Sequence, residues 1–262
     1  MEKNRLKLKV DINCDLGESY GLFKVGRDEE VMPYITSANV ACGFHTGDPM
    51  VMAKTVRLAK QYNVAVGAHP GFLDLVGFGR REMKLSKEEV TNLVIYQVGA
   101  LQAFAKSFGM ELQHVKPHGA LYNMAVNDAT LAKAVVEGVA AVDSRLIVFT
   151  QIKSKVAEVA AKVGLRVAFE VFAERAYNSN GSLVSRLIAG SVIEDPMTVT
   201  ERAVRMVREK NVVAMDGKVV DLDEVHTICV HGDNLKAVEL AKNLRKKLEK
   251  AGIEVVSVGK FV

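Results

Sequence analysis

Short apolar runs rich in Val, Ile and Ala alternate along this chain with longer stretches in which apolar residues recur every three or four positions, the period of a helix lying on a core. The short runs fall at residues 8–13, 37–41, 64–68, 113–116, 146–150, 166–172 and 227–230 and read as about seven strands. Asp48-Pro49 supplies an N-cap followed by proline at the first helical position, so a helix is expected from there to about residue 61. Ser86 and Glu89 make a capping-box pattern, and Val90, Val94, Gln97, Leu101, Phe104 and Phe108 follow at helical spacing until Gly109 stops the run. Further helices are expected to start near Asp128, Ser154 and Asp195, with a last one over 234–251 before Gly252. Strand and helix in strict alternation predict a parallel sheet or closed (β/α) barrel. Two segments break the rhythm. Residues 212–220, with Asp216-Gly217 between β-formers, read as an appended hairpin. Residues 173–195 form a long polar stretch containing Asn180-Gly181, of the kind that serves as a lid or binding loop.

Composition narrows the class. With 262 residues, 49% of them hydrophobic, the chain can bury one large core, and a single domain over 1–262 is expected. The balance of 35 Lys and Arg against 31 Asp and Glu, a net +4, is too mild and dispersed for nucleic acid. The basic run at 242–250 reads as a solvated helix face. Three cysteines, at 14, 42 and 229, fit no disulfide or zinc framework, and no run is long enough to span a membrane, so a cytoplasmic protein without membrane contacts is expected.

The chemistry sits where the apolar runs stop. In each of the stretches 10–18, 39–49, 64–70, 114–123 and 228–234 an apolar run stops abruptly at Gly, His, Asp or Lys, whereas strands made only for packing end in neutral turn residues. Strand parity puts Asp11, Asn13 and Asp15 on one side, and likewise Ala41, Gly43 and His45; Ala65, Gly67 and His69; His114, Lys116 and His118; and Thr227, Cys229 and His231. The small residues beneath the histidines would leave room for a pocket floor. Asp15, His45, His69, Lys116, His118 and His231 can therefore converge at one rim of a barrel, with an enzyme as the leading expectation. Any one buried histidine is more often a satisfied hydrogen-bonding partner than a catalyst, and Asp15 and Glu18 could be turn residues. Lys116 before Pro117 needs an anion if buried. Cys229 is either a nucleophile or, more commonly, a small hydrophobe. The run 77–81, with Arg80 and Arg81, is either an anion cradle or a surface turn. There is no GxxxxGK[ST] motif, and no GxGxxG opens a helix after the first strand.

Taken in order, VDINCDLGESYG, NVACGFHTGDP, GAHPGFLDLVGFGRR, VKPHGALYN, FAERAY with LVSR, and ICVHGDN resemble the LamB/YcsF family of 5-oxoprolinase A subunits, from about residue 10 to 260. The chain departs from the family pattern at Glu174, Ser185 and Asn234-Leu235. The resemblance implies a seven-stranded (β/α) barrel similar to the glycoside hydrolase/deacetylase superfamily. It also implies ATP-dependent opening of 5-oxoproline to L-glutamate, with Mg2+ accompanying ATP, carried out together with B and C subunits. On that reading Asp15, His45, His69, Lys116 and His118 are the catalytic candidates. Asn13, Glu18, Arg80, Arg81, Glu174, Arg175, Tyr177, His231 and Asp233 are the candidates for substrate or phosphate binding. Two other readings stay open. One is a metal-dependent hydrolase acting alone on an N-acetylated sugar or similar small amide, with Asp15, His45 and His69 as metal candidates. The other is a non-catalytic subunit that binds a small acid while its partners react.

Overall fold

The computed structural model describes residues 7–185, 188–231 and 237–262, with the backbone but not the side chain of His231. Seven parallel strands close on themselves. In chain order they are β1 (Lys9–Leu16), β2 (Ser37–Ala41), β3 (Ala65–His69), β4 (Leu112–Val115), β5 (Ile147–Thr150), β6 (Arg166–Val171) and, after two short strands, β9 (Thr227–His231). Each pairs with the next, and β9 pairs with both β6 and β1, which completes the barrel. The two short strands, β7 (Asn211–Val213) and β8 (Val219–Asp221), form the expected antiparallel hairpin outside the barrel. A two-residue strand, β10 (Glu254–Val255), runs beside the start of β1.

The helices are α1 (Asp28–Val31), α2 (Pro49–Tyr62), α3 (Lys87–Ser107), α4 (Gly119–Asn127), α5 (Ala129–Val142), α6 (Lys155–Val163), α7 (Pro196–Glu209) and α8 (Ala237–Lys250). The caps read from the sequence are made. Asp48 Oδ1 accepts from the Met50 and Val51 amides at 2.8 and 2.9 Å. Ser86 and Glu89 cap each other reciprocally, and Asp128, Ser154 and Asp195 accept from the first turns of α5, α6 and α7. Outside the expected pattern lie α1, β10, two 3-10 helices (Met32–Tyr34 and Val258–Lys260) and α4, which carries GALYN after its N-cap His118. No helix among the described residues is long and apolar enough to cross a membrane.

The main apolar core lies between the outer face of the barrel and the helices, and Val10, Ile12, Cys14 and Leu16 of β1 belong to it together with Val56, Val94 and Leu244 of the helices. The barrel lumen is different. Its inward residues on β1 are Asp11, Asn13 and Asp15, all buried, and they are met by Ser37, Asn39, His114, Lys116, Glu170, Thr227 and Cys229. At the floor, Asp11 accepts from Thr36 and Ser37 on one oxygen and from Thr227 on the other. One level higher, Asn39 donates to Asn13 Oδ1 and Asp15 Oδ1 at 2.7 and 2.8 Å and accepts from His114 Nε2 at 2.8 Å. The space beside Gly67 is not the pocket floor that parity indicates: the His114 ring fills it, and a Cβ on residue 67 would collide with that ring. Phe149 stacks on the other side of His114 at 4.1 Å, and Val258 packs with Ile147 and Phe149.

Candidate active site

Lys116 is the centre of the upper layer. It follows the last residue of β4, where its amide donates to the Ala68 carbonyl, and its side chain turns into the lumen. The ammonium lies 3.0 Å from Asp15 Oδ1, 2.8 Å from Glu170 Oε1, 3.2 Å from Asn13 Oδ1 and 3.0 Å from Cys229 Sγ. It also sits over the Phe172 ring. Burial works against the charge, but Asp15 and the other anionic neighbours outweigh it and hold the amine well above its ordinary 10.5. Lys116 is therefore a fixed cation that neutralises two buried carboxylates. Glu170 also accepts from Asn13 at 3.0 Å. Burial pushes the Cys229 thiol well above its ordinary 9.0, so it is packed as a thiol beneath the ammonium and is not poised as a thiolate.

Three imidazoles stand next to this cation. His69, the last residue of β3, has Nδ1 at 2.6 Å from the Lys116 carbonyl and Nε2 at 3.4 Å from Asp15 Oδ2. His118 is the N-cap of α4 and offers no side-chain cap; its Nε2 lies 2.8 Å from the Phe78 carbonyl and its Nδ1 lies 2.9 Å from His69 Nε2. His45 stacks on His118 with ring centroids 3.8 Å apart. Parity does not explain how His45 arrives, because β2 ends at Ala41 and a turn closed by a Gly43 N–H to Thr46 carbonyl bond delivers the ring. Glu18 closes the group, with Oε1 at 3.6 Å from His45 Nε2 and 3.8 Å from His118 Nδ1. Burial, followed by its histidine neighbours, pushes His45 well below the ordinary 6.5; burial and His69 push His118 down to about 3. One donor atom each from Glu18, His45, His69 and His118 lie within 4.8 Å of one another, a buried group that could hold a metal ion.

A cavity of about 580 Å³ opens above these residues. Asp15, Glu18, His69, Lys116 and His118 form its bottom, α4 contributes Tyr122 and Asn123, and Arg80 and Arg175 stand in its walls. Burial and neighbouring Glu170 push the Tyr122 phenol well above its ordinary 10. The expected lid stretch forms part of the wall through Arg175 and residues 182–185. Arg175 donates to the Val184 carbonyl, which binds the loop back on itself.

The structure thus brings Asp15, Glu18, His69, Lys116, His118, Arg80 and Arg175 to one cavity. His45 lies behind His118, and Asn13 lies beneath Lys116. Others are elsewhere. Arg81 pairs with Asp74 through both Nε and Nη2, its side chain 65% exposed, and does not line the cavity. Tyr177 is buried with its hydroxyl receiving the Phe172 amide, and Glu174 is buried outside the cavity lining. The backbone of His231 pairs with Asp15, which places that strand end at the same rim; the His231 side chain and Asp233 lie outside the described residues. Gly79 proves to serve close packing, since a Cβ there would strike His45 and His118, and its φ of +66° suits glycine. Sequence reasoning missed Glu170, Asn39 and Tyr122. A lone Glu inside the apolar run RVAFEV was the available signal for the first.

The chain has counterparts among known proteins. The LamB/YcsF family model matches residues 10–262. The chain belongs to the LamB/YcsF family. Among members of that family, the 5-oxoprolinase A subunit of Pyrococcus furiosus is 58% identical over 255 residues, covering 97% of this chain and 100% of the relative. The 5-oxoprolinase A subunit of Campylobacter jejuni is 51% identical over 97% of this chain and 99% of its own length. The crystal structure of a lactam utilization protein from Thermus thermophilus superposes with a TM-score of 0.91 at 51% identity, covering 95% of this chain and all of that one. A putative cellobiose-phosphate cleavage protein of Enterococcus faecalis shares the fold at a TM-score of 0.59 and 15% identity, over 98% of this chain and 100% of that one. The barrel and its family membership agree.

Proposed function

We propose that this LamB/YcsF chain is the A subunit of an ATP-dependent 5-oxoprolinase, the part in which the lactam of 5-oxoproline is opened to L-glutamate. The observation that carries this reading is the Asp15–Lys116–Glu170 group at the foot of a cavity large enough for a small acid. The names of relatives at 51–58% identity support it. The five-membered lactam is unstrained, and its hydrolysis is uphill near neutral pH. Transfer of the ATP γ-phosphoryl group to the amide oxygen makes the carbonyl carbon electrophilic; water then adds, the C–N bond breaks with the nitrogen taking up a proton, and the acyl phosphate loses phosphate to a second water. Over the whole cycle, 5-oxoproline, ATP and two waters give glutamate, ADP and phosphate.

In this scheme Asp15 is the base. Lys116 and Asn39 fix its Oδ1 and leave Oδ2 on the side of His69 and the cavity, where it takes the proton of the attacking water. Lys116 pairs with Asp15 and Glu170 and faces the charge that develops on the substrate oxygen. Arg80 and Arg175, in the walls, receive the substrate carboxylate or the transferred phosphoryl group. ATP arrives with Mg2+, and the B and C subunits complete the assembly in the cytoplasm. Mixing this chain with candidate B and C subunits and following glutamate release tests the proposal. Release is expected only with ATP and with all three chains; ATP-independent release, or release that persists when this chain is omitted, refutes it. The buried Glu18 and histidine group favours a second reading, a metal-assisted amide hydrolase acting alone, which predicts turnover of small N-acetyl amides by this chain without nucleotide.

A further inference from the structure

The scheme above leaves one arrangement unused. His69 Nδ1 faces the Lys116 carbonyl at 2.6 Å and His118 Nε2 faces the Phe78 carbonyl at 2.8 Å, and a carbonyl accepts only from N–H. Each ring therefore carries its proton on the outer nitrogen. The inner nitrogens, His118 Nδ1 and His69 Nε2, then present lone pairs to one another at 2.9 Å. Two lone pairs at that distance repel unless a cation stands beside both. Glu18 Oε1 looks at the same point from 3.8 Å. His45 is fully buried and neither of its ring nitrogens has a hydrogen-bond partner among the described residues, which is costly for a polar group that serves only packing.

We infer that Glu18, His45, His69 and His118 hold one resident divalent ion of the zinc class, distinct from the magnesium that accompanies ATP. The donor set decides the class: three neutral imidazoles and one carboxylate suit zinc, cobalt or nickel, whereas magnesium prefers oxygen and water. The spacing fits. Ligand bonds of about 2.1 Å to nitrogen and oxygen in a tetrahedral site imply ligand-to-ligand separations of roughly 3.4 Å; three of the six pairs stand at 2.9, 3.6 and 3.8 Å, and all four donor atoms lie within 4.8 Å of one another. The carbonyls on the outer nitrogens of His69 and His118 are the partners that orient metal-binding histidines and fix their tautomer. Asp15, a ligand candidate from the sequence, is not one of the four: Lys116 and Asn39 engage its Oδ1, and its Oδ2 lies beside the group, 3.4 Å from His69 Nε2.

The inference is independent of the reaction assigned above, and its test needs neither substrate nor partner subunits. The full chain is purified, its metal content measured by mass spectrometry, then stripped with a chelator and titrated with Co2+ while the visible d–d bands are followed. One equivalent is expected, with bands of a nitrogen-rich, low-symmetry site and with no displacement by millimolar Mg2+. His69→Gln and His118→Gln are each expected to weaken Co2+ by about 100-fold or more, while His226→Gln, at a histidine paired with Glu224, leaves it unchanged. Circular dichroism checks that the variants fold; should either fail, Glu18→Gln at the cavity bottom replaces it with the same expectation. Absence of stoichiometric Co2+ binding in the wild-type chain, equal binding by the folded variants, or displacement by Mg2+ would overturn the inference.

Discussion

Replacing Lys116 by methionine isolates what the buried ammonium does, because methionine keeps most of the side-chain length and removes only the charge and its donors. In the wild-type chain the ammonium touches Asp15, Glu170, Asn13 and Cys229, and the side chains of Lys116, Asp15 and Glu170 are 4%, 9% and 0% exposed. Without the cation the two carboxylates are left facing one gap. Removing one partner from a buried ion pair costs about 3–5 kcal/mol, and two carboxylates depend on this one. The lower bound alone is a large share of the ~5–15 kcal/mol that a protein has in total. At about 2–4 °C per kcal/mol for a chain near this size, the melting temperature should fall by roughly 6–20 °C. Urea unfolding of Lys116→Met and of Lys116→Met/Glu170→Gln at pH 7 measures the cost and how much of it Glu170 carries. The double variant is expected to recover part of the loss, since it removes one orphaned charge. A loss under about 1 kcal/mol, or a double variant less stable than the single, would refute the account of Lys116 as the neutralising cation.

Other outcomes follow from the same structure. Burial pushes Asp11 up to about 6 from its ordinary 3.8, so between those pH values the folded chain binds a proton that the unfolded chain has released; stability should fall by about 3 kcal/mol as pH rises through this window and level off above it, and Asp11→Asn should flatten the slope in pH-dependent melts. Gly67→Ala drives a methyl into the His114 ring and should cost about 1–3 kcal/mol by urea unfolding, relieved when His114 is also reduced to alanine. Ser86→Ala removes the cap of α3 and should cost about 1 kcal/mol, with turnover in the assembled complex unchanged. Glu170→Gln keeps the shape beside Lys116 but removes a charge, and should lower ATP-coupled turnover well before it raises the KM for 5-oxoproline.

The barrel was legible because its signals are local. Seven β-rich runs, proline and aspartate at helix starts and Asp-Gly in the hairpin each act within a few residues, and the strands and the hairpin lie where those signals put them. The helix α4 was not, because its first residue is a glycine with φ of +52° and its N-cap His118 turns its side chain to Phe78 instead of to the helix amides. At the site, Asp15, His69 and Lys116 could be placed together because β1, β3 and β4 belong to one run of adjacent parallel strands, with only β2 between the first two, and the pleat continues to, or within a residue of, each side chain. His45 reached the same place by a turn, outside any parity argument. Arg81 looked equivalent to Arg80, and only the fold shows that Asp74 draws it away from the cavity. Glu170 carried a visible signal, but nothing in RVAFEV says that its partner is a lysine more than fifty residues upstream.

The hydrogen-bonded lumen has a bearing on how such a chain can change over time. Where a barrel is filled by Val, Ile and Leu, one aliphatic group can stand in for another at little cost. Here each inner residue dictates the donor or acceptor opposite it, from Thr227 and Asp11 through Asn13 and Asn39 to Asp15. Drift at those positions must occur as concerted exchanges, while the aliphatic shell outside the strands remains open to stepwise substitution.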